Sequence, residues 1–256
     1  MRQRLHLLPS LIVLLFGAAT AVAGVNDAVY TALLQDHVRG AEVDYRRIQK
    51  DPRLDAYLAE LAATDPTTLA SRDAQLAFWI NAYNAYTLKL IASVYPVDTI
   101  RTITAVGQTD DVDQGKPWDI PLAIVGGRAY TLEFIEHEII RPQFNDARIH
   151  FALVCAAVSC PKLRHEAYTA TDLNAQLNDQ GRWFLAHRNE IDGRRRTARL
   201  SQIFNWFADD FGGNQTAILD FIADFTTADI ARSLRRDPDG WKVSYLDYDW
   251  DLNDRH

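Results

Sequence analysis

The chain has 256 residues, 48% of them hydrophobic and 24% charged, with 12 Gly, 9 Pro and 2 Cys. That composition excludes collagen-like, disordered and disulfide-dense classes. A formal net charge of -7 and a pI near 5.5 argue against nucleic-acid binding, which needs a basic surface.

The first apolar feature reads as a signal peptide. Arg2 and Arg4 stand without an acid, Leu11-Ile-Val-Leu-Leu-Phe16 is too short to span a bilayer comfortably, and Ala21-Val22-Ala23 supplies small residues for cleavage. Cleavage after Ala23 removes two of the 27 basic residues and none of the 34 acids, leaving 25 against 34 and a charge of -9. No Cys lies near the cleavage point, so the bacterial lipoprotein route is closed. Residues 24–256 are then expected to form a single domain in the periplasm or outside the cell, an oxidising compartment. They contain no second hydrophobic span, so the mature chain is not expected to cross a membrane.

After Gly24, Val29, Leu33 and Leu34 share one helical face, and Leu54, Tyr57, Leu58 and Leu61 form a second such pattern before Asp65-Pro66. Asp44, where the chain turns between them, reads as a cap or turn residue. Ser71 to Tyr95, stopped by Pro96, is apolar on nearly every side and predicts a buried central helix. Asn81 and Asn84 lie one turn apart on it, so both amides need partners inside the core. Either they tie neighbouring loops to the helix, or one orients a substrate or stabilises an oxyanion.

From Trp118 the pattern changes to strands, with Ile120 to Val125 and Arg128 to Leu132 joined by the hairpin signal Gly126-Gly127. A helix follows over Leu132 to Arg141, with Thr131 as N-cap and Pro142 as its end. Glu133, His137 and Arg141 are spaced by four on that helix and form one polar line, either a solvated ladder or the wall of a cleft. The second His of a zinc-protease helix is missing.

Arg148 to Cys155 reads as a strand entering Ala156-Ala-Val-Ser-Cys160-Pro161, which holds both cysteines. Three readings compete there. A Cys155–Cys160 disulfide is the first expectation for an exported protein, its value lying in the shape of the loop. Zinc on His150, Cys155, Cys160 and His165 is the weaker alternative to no cofactor, because a CxxxxC step is looser than the usual hook. In the third, Cys155 or Cys160 is a nucleophile activated by His150 or His137, with Asn81 in an orienting role and Asn84, Glu133 and Arg141 as candidate substrate-binding groups.

Ala77-Phe-Trp-Ile-Asn-Ala-Tyr-Asn-Ala85, the Leu132 to Arg141 segment and Ile149-His-Phe-Ala-Leu-Val-Cys-Ala-Ala-Val-Ser-Cys-Pro161 together resemble the DUF547 family. The likeness extends to Trp206 to Phe211 and to Tyr248-Asp249-Trp250. It implies an α+β fold and a site near Asn81, Asn84, His137, His150, Cys155 and Cys160, but no reaction. A more distant analogy is with papain-like and transglutaminase-like folds, which keep their Cys at the start of the central helix, where this chain has none.

Downstream, a helix over Leu173 to His187, a basic Arg194 to Arg196 turn, a short strand near Leu200, amphipathic helices around Ile203 to Phe221 and an edge strand in Trp241 to Trp250 complete the pattern. The basic turn reads as solvated, or as a contact for anionic envelope polymers. The expected whole is a helix-rich α+β domain with a small, mostly antiparallel sheet. Two functions fit it: a Cys/His-dependent hydrolase or transferase acting on an amide or thioester of a small molecule or envelope component, and a non-catalytic periplasmic binding domain shaped by the disulfide.

Overall fold

The computed structural model describes residues 25–112 and 114–255, so the signal-peptide reading of residues 1–23 falls outside the described residues. The central helix is Arg72–Val94, and Ser71 caps it by accepting the Ala74 N–H. It is buried on almost every side from Leu76 to Ala92, which is why its sequence carries no polar stripe. Helices Asp27–His37 and Pro52–Ala63 pack around it. The second of these buries Leu54, Tyr57, Leu58 and Leu61, the face its spacing predicts. Between them Asp44 accepts the Arg47 N–H at 3.0 Å and starts the short helix Tyr45–Ile48, a capping role as expected.

The hairpin forms from Ala123–Val125 and Arg128–Tyr130, shorter than the sequence suggested. Gly126 and Gly127 both have positive φ, 56° and 74°, which a two-residue hairpin turn demands of its central residues. Thr131 then caps the next helix by accepting the Phe134 N–H at 3.0 Å.

That helix does not stop at Pro142. It passes through a π-helical segment, Ile135–Ile140, and continues over Arg141–Phe144 until Asn145 turns left-handed. The wider π turn places Pro142 in the first turn of the segment that follows, where its missing N–H costs little.

The strand expected over Arg148 to Cys155 is also corrected. Ala147–Phe151 is a 3-10 helix, capped by Asp146, and the chain from Ala152 to Cys155 is irregular. Every residue from Ile149 to Val154 is buried, so the segment has no solvent face whose periodicity would separate strand from helix.

This segment is the seam of the molecule. Ile149, Ala152, Leu153 and Val154 belong to the apolar cluster built on the central helix. Phe151 points the other way, into a second cluster, where it meets Phe184, Phe204, Phe211, Phe221 and Phe225. Helices Leu173–His187, Gln215–Ala223 and Ala228–Arg236 surround that second cluster. Its sheet pairs Glu190–Asp192 antiparallel with Thr197–Leu200, and Lys242–Tyr245 joins the latter in parallel as an edge strand. The remaining strand pairs are antiparallel, so the fold is α+β with small, mostly antiparallel sheets.

Beyond Tyr245 the chain leaves the sheet and crosses the seam. Leu246 N–H donates to Leu200 O, Ser159 N–H to Asp249 O, Val158 N–H to Asp251 O, Leu252 N–H to Asp98 O and Asn253 N–H to Ala156 O. This strap ties the first core, the cysteine loop and the sheet together. Among the described residues no helix is long and apolar enough to cross a membrane.

Candidate functional site

A cavity of about 180 Å³ opens at the seam. Tyr83, Glu136, His150, Cys155 and Cys160 form its inner wall, and Trp118, Trp206, Phe207, Tyr248 and Trp250 its aromatic sides. The sequence candidates His137 and Glu133 line it as well. Apolar walls around a few convergent polar groups are the usual make-up of a small-molecule site.

Cys155 is partly exposed and Cys160 is 2% exposed. Both are free thiols, so the expected disulfide is not formed in this structure. The Cys155 N–H donates to Cys160 Sγ at 2.8 Å, and the Tyr248 hydroxyl stands 3.2 Å from Cys155 Sγ. Burial pushes the Cys155 thiol up, but hydrogen bonds from Cys160, Tyr248 and the Ala157 backbone outweigh it, and the net direction is down. Burial and then the neighbouring Cys155 sulfur push Cys160 well above the ordinary thiol range. Tyr248 is raised too, chiefly by burial and then by Cys155, so at neutral pH its phenol keeps its proton and donates to the sulfur. One thiolate therefore forms at Cys155 before Cys160 ionises.

Ala156, next in sequence, holds φ at 61° in the left-handed region, uncommon for a residue with a Cβ. The strap stabilises this bend. Asn253 N–H donates to Ala156 O, while the Asn253 side chain accepts the Tyr45 hydroxyl at 2.7 Å and donates to Ala41 O at 2.9 Å. Strain of this kind, on the order of 1–3 kcal/mol, persists only where surrounding bonds hold it, and it recurs at functional sites.

A chain of polar contacts extends from His150. His150 Nε2 lies 2.7 Å from Asp210 Oδ2, and the Asp210 carboxylate also accepts two bonds from Arg141, at 2.7 and 2.9 Å. The His150 hydrogen bond holds the Asp210 carboxyl far below the usual range, with burial opposing and Arg141 assisting. The carboxylate accepts the His150 Nε2 proton, and the other ring nitrogen, Nδ1, lies 3.9 Å from Glu136 Oε1. Phe207 stacks on the imidazole at 4.0 Å between centroids and prevents it from swinging.

Arg141 Nη1 lies 2.6 Å from His137 Nδ1. A guanidinium only donates, so His137 accepts at Nδ1 and carries its proton on Nε2, facing Glu133 at 3.5 Å. Glu133, His137 and Arg141 thus form the predicted polar line; Glu133 and His137 line the cleft, and Arg141 joins the line to Asp210.

The two amides of the central helix hold backbone. Asn81 donates to Tyr168 O and accepts the Tyr168 N–H, both at 2.8 Å, and does not line the cavity. Asn84 donates to Ala152 O at 2.9 Å and accepts the Val154 N–H at 3.0 Å, fixing the segment that delivers Cys155. Of the two readings of this pair, the bonds made are those that tie neighbouring chain to the helix. Asn84→Ala leaves a buried carbonyl and a buried N–H unpaired, and is expected to cost about 2–4 kcal/mol of stability. Urea unfolding at neutral pH measures this; a loss within 0.5 kcal/mol, the scale of a neutral surface change, contradicts the assigned bonding.

Among the described residues no group of three or more His, Cys, Asp or Glu is placed to hold a metal ion. His165, the fourth donor of the zinc reading, is exposed and outside the cavity lining. Sequence reasoning did not assign chemistry to Asp210, Tyr248, Glu136 or Phe207. Glu136 sits beside His137 in the polar helix, whereas Asp210 and Tyr248 lay within stretches noted only for their aromatic and acidic character.

An α+β domain with a partly exposed cysteine and a carboxylate-held histidine in one cleft defines the class. Residues 66–185 match the family described as protein of unknown function, DUF547. The match takes in the central helix, the hairpin, the polar helix and the cysteine loop, and stops short of Asp210 and Tyr248. No curated protein and no solved structure matches the chain.

Proposed function

We propose that the cleft is the active site of a thiol-dependent hydrolase or transferase acting on an amide or thioester of the cell envelope, in a protein exported by its first 23 residues. The observation that carries this reading is the presence, in one small cavity, of a partly exposed thiol pulled toward its anion and a histidine held by Asp210. Cys155 attacks the substrate carbonyl carbon, forming a sulfur–carbon bond, and the amine or thiol departs as the tetrahedral adduct collapses. Before attack His150 Nδ1 takes the Cys155 thiol proton through a water, which leaves the thiolate, and during collapse it gives that proton to the leaving group. Water or a second nucleophile then releases the acyl group from Cys155. Tyr248 stabilises the resting thiolate by donating to it.

The pH dependence of alkylation by iodoacetamide tests this reading. Cys155 is expected to react with an apparent pKa below the ordinary thiol value of about 8.5, and Tyr248→Phe is expected to raise that pKa by removing a donor to the sulfur. A wild-type profile indistinguishable from that of a free cysteine, or a Tyr248→Phe profile unchanged from wild type, contradicts it.

A second reading is favoured by the aromatic side of the cavity. Trp206, Tyr248 and Trp250 pack with centroids 4.6–5.8 Å apart, and Trp118 lies 6.1 Å from Trp250. Such a surface suits non-catalytic recognition of a flat or apolar ligand. In that case binding survives the loss of the thiol.

A further inference from the structure

Cys160 forms no bond to the substrate in acyl transfer, yet it is placed against the nucleophile. The two cysteines bracket a loop whose first bend is the left-handed Ala156 and whose outer residues are bound to the strap. The Cys155 N–H points at Cys160 Sγ from 2.8 Å, so the second sulfur lies against the backbone of the first cysteine. A molecule in the cleft meets the partly exposed Cys155, while Cys160 is almost fully covered. One accessible thiol and one sheltered thiol beside it form the arrangement of an attacking and a resolving pair.

We propose that this pair carries out thiol–disulfide exchange, with a small-molecule or peptidyl disulfide as substrate and Cys160 as the resolving thiol. The inference rests on Cys155 being the cleft nucleophile. The Cys155 thiolate attacks one sulfur of the substrate disulfide RS–SR′; that S–S bond breaks, R′S⁻ leaves with the electron pair and takes a proton from solvent, and a Cys155–S–SR mixed disulfide forms. Cys160 then loses its proton to solvent and attacks the Cys155 sulfur, expelling RS⁻ and closing the Cys155–Cys160 bond. Two protein thiols are oxidised and one substrate disulfide is reduced to two thiols.

The electrostatics set the order of these steps. Next to a Cys155 thiolate, a second negative charge on Cys160 is opposed by burial and by the first charge. Once Cys155 is in a neutral mixed disulfide, the second opposition disappears and Cys160 ionises more readily. Arg188, which donates to Cys160 O at 3.1 Å, adds a positive charge on that side. The same pair thereby accounts for the disulfide expected from the sequence, as one state of a cycle.

The test treats the reduced full chain with the aromatic disulfide dithiobis-nitrobenzoate and follows both released nitrothiolate and intact mass. Wild-type protein is expected to release two nitrothiolates per chain and to end two hydrogens lighter, with no adduct. Cys160→Ser is expected to release one and retain a stable adduct on Cys155, and Cys155→Ser to react at least tenfold more slowly. Retention of adducts on both cysteines of the wild type overturns the proposal, as does a Cys155–Cys160 bond that dithiothreitol fails to reduce in the folded protein. Slow reaction of Cys155 itself, together with an ordinary alkylation pKa, brings down the nucleophile reading. Fast reaction at Cys155 without resolution brings down this inference alone.

Discussion

Cys155→Ser is expected to lower kcat/KM for an aryl thioester by about 10³-fold or more, the scale seen when a nucleophile is removed from a preorganised site. The site is built for a sulfur anion. Its Tyr248, Cys160 and Ala157 contacts draw down a thiol, but a serine hydroxyl starts several pH units higher and remains protonated under the same influence. Because Cys155 is only partly buried, the serine variant is expected to unfold within about 1 kcal/mol of wild type. Thioester turnover at neutral pH with a parallel urea unfolding curve separates the two effects. A folded serine variant that retains a tenth of the wild-type rate removes Cys155 from the chemistry.

Asp210→Asn is the second large effect. An asparagine cannot accept the paired Arg141 bonds as an anion, and its amide can present a donor to His150, which moves the imidazole proton to Nδ1 and removes the base. A fall of roughly 10³-fold or more in kcat is expected, with KM much less affected. Stability also falls, by about 1–3 kcal/mol at neutral pH. The Asp210 side chain is 26% exposed, so solvent screening reduces what a fully buried pair would contribute.

The pH dependence follows from the direction of the shift. The folded-state pKa of Asp210 is depressed, so its contribution is present above the unfolded carboxylate value near 3.9. It is lost as pH falls through the folded value. Unfolding curves of wild type and Asp210→Asn should therefore differ at pH 7 and draw together below about pH 4. A gap that persists unchanged at low pH means that the carboxylate charge is not what stabilises the wild type.

What the sequence made legible was what local chemistry decides. Ser71 and the run to Val94 define the central helix because the cap and the continuous apolar surface lie within one stretch. Gly126-Gly127 fixes the hairpin turn, since both positions require positive φ. The line of Glu133, His137 and Arg141 was readable because residues four apart share a helix face, and it remains a line through the π segment. The seam was misread because residues 149–154 are buried on all sides, some in one core and Phe151 in the other. A run without a solvent face shows no period. The pairs that define the site were beyond any spacing rule, with His150 and Asp210 separated by 60 positions and Cys155 and Tyr248 by 93.

The strap that carries Tyr248 follows in chain order every element it touches, up to 212 positions later in the case of Ala41 and Asn253. During synthesis, the helices of both cores emerge before the phenol that stands against the thiol. Until residues 246–255 are in place, Cys155 lacks one of its donors and the cleft lacks one side. The incomplete chain thus carries a thiol closer to its ordinary titration range. Chain order makes the last segment to emerge the one that completes the thiol's surroundings.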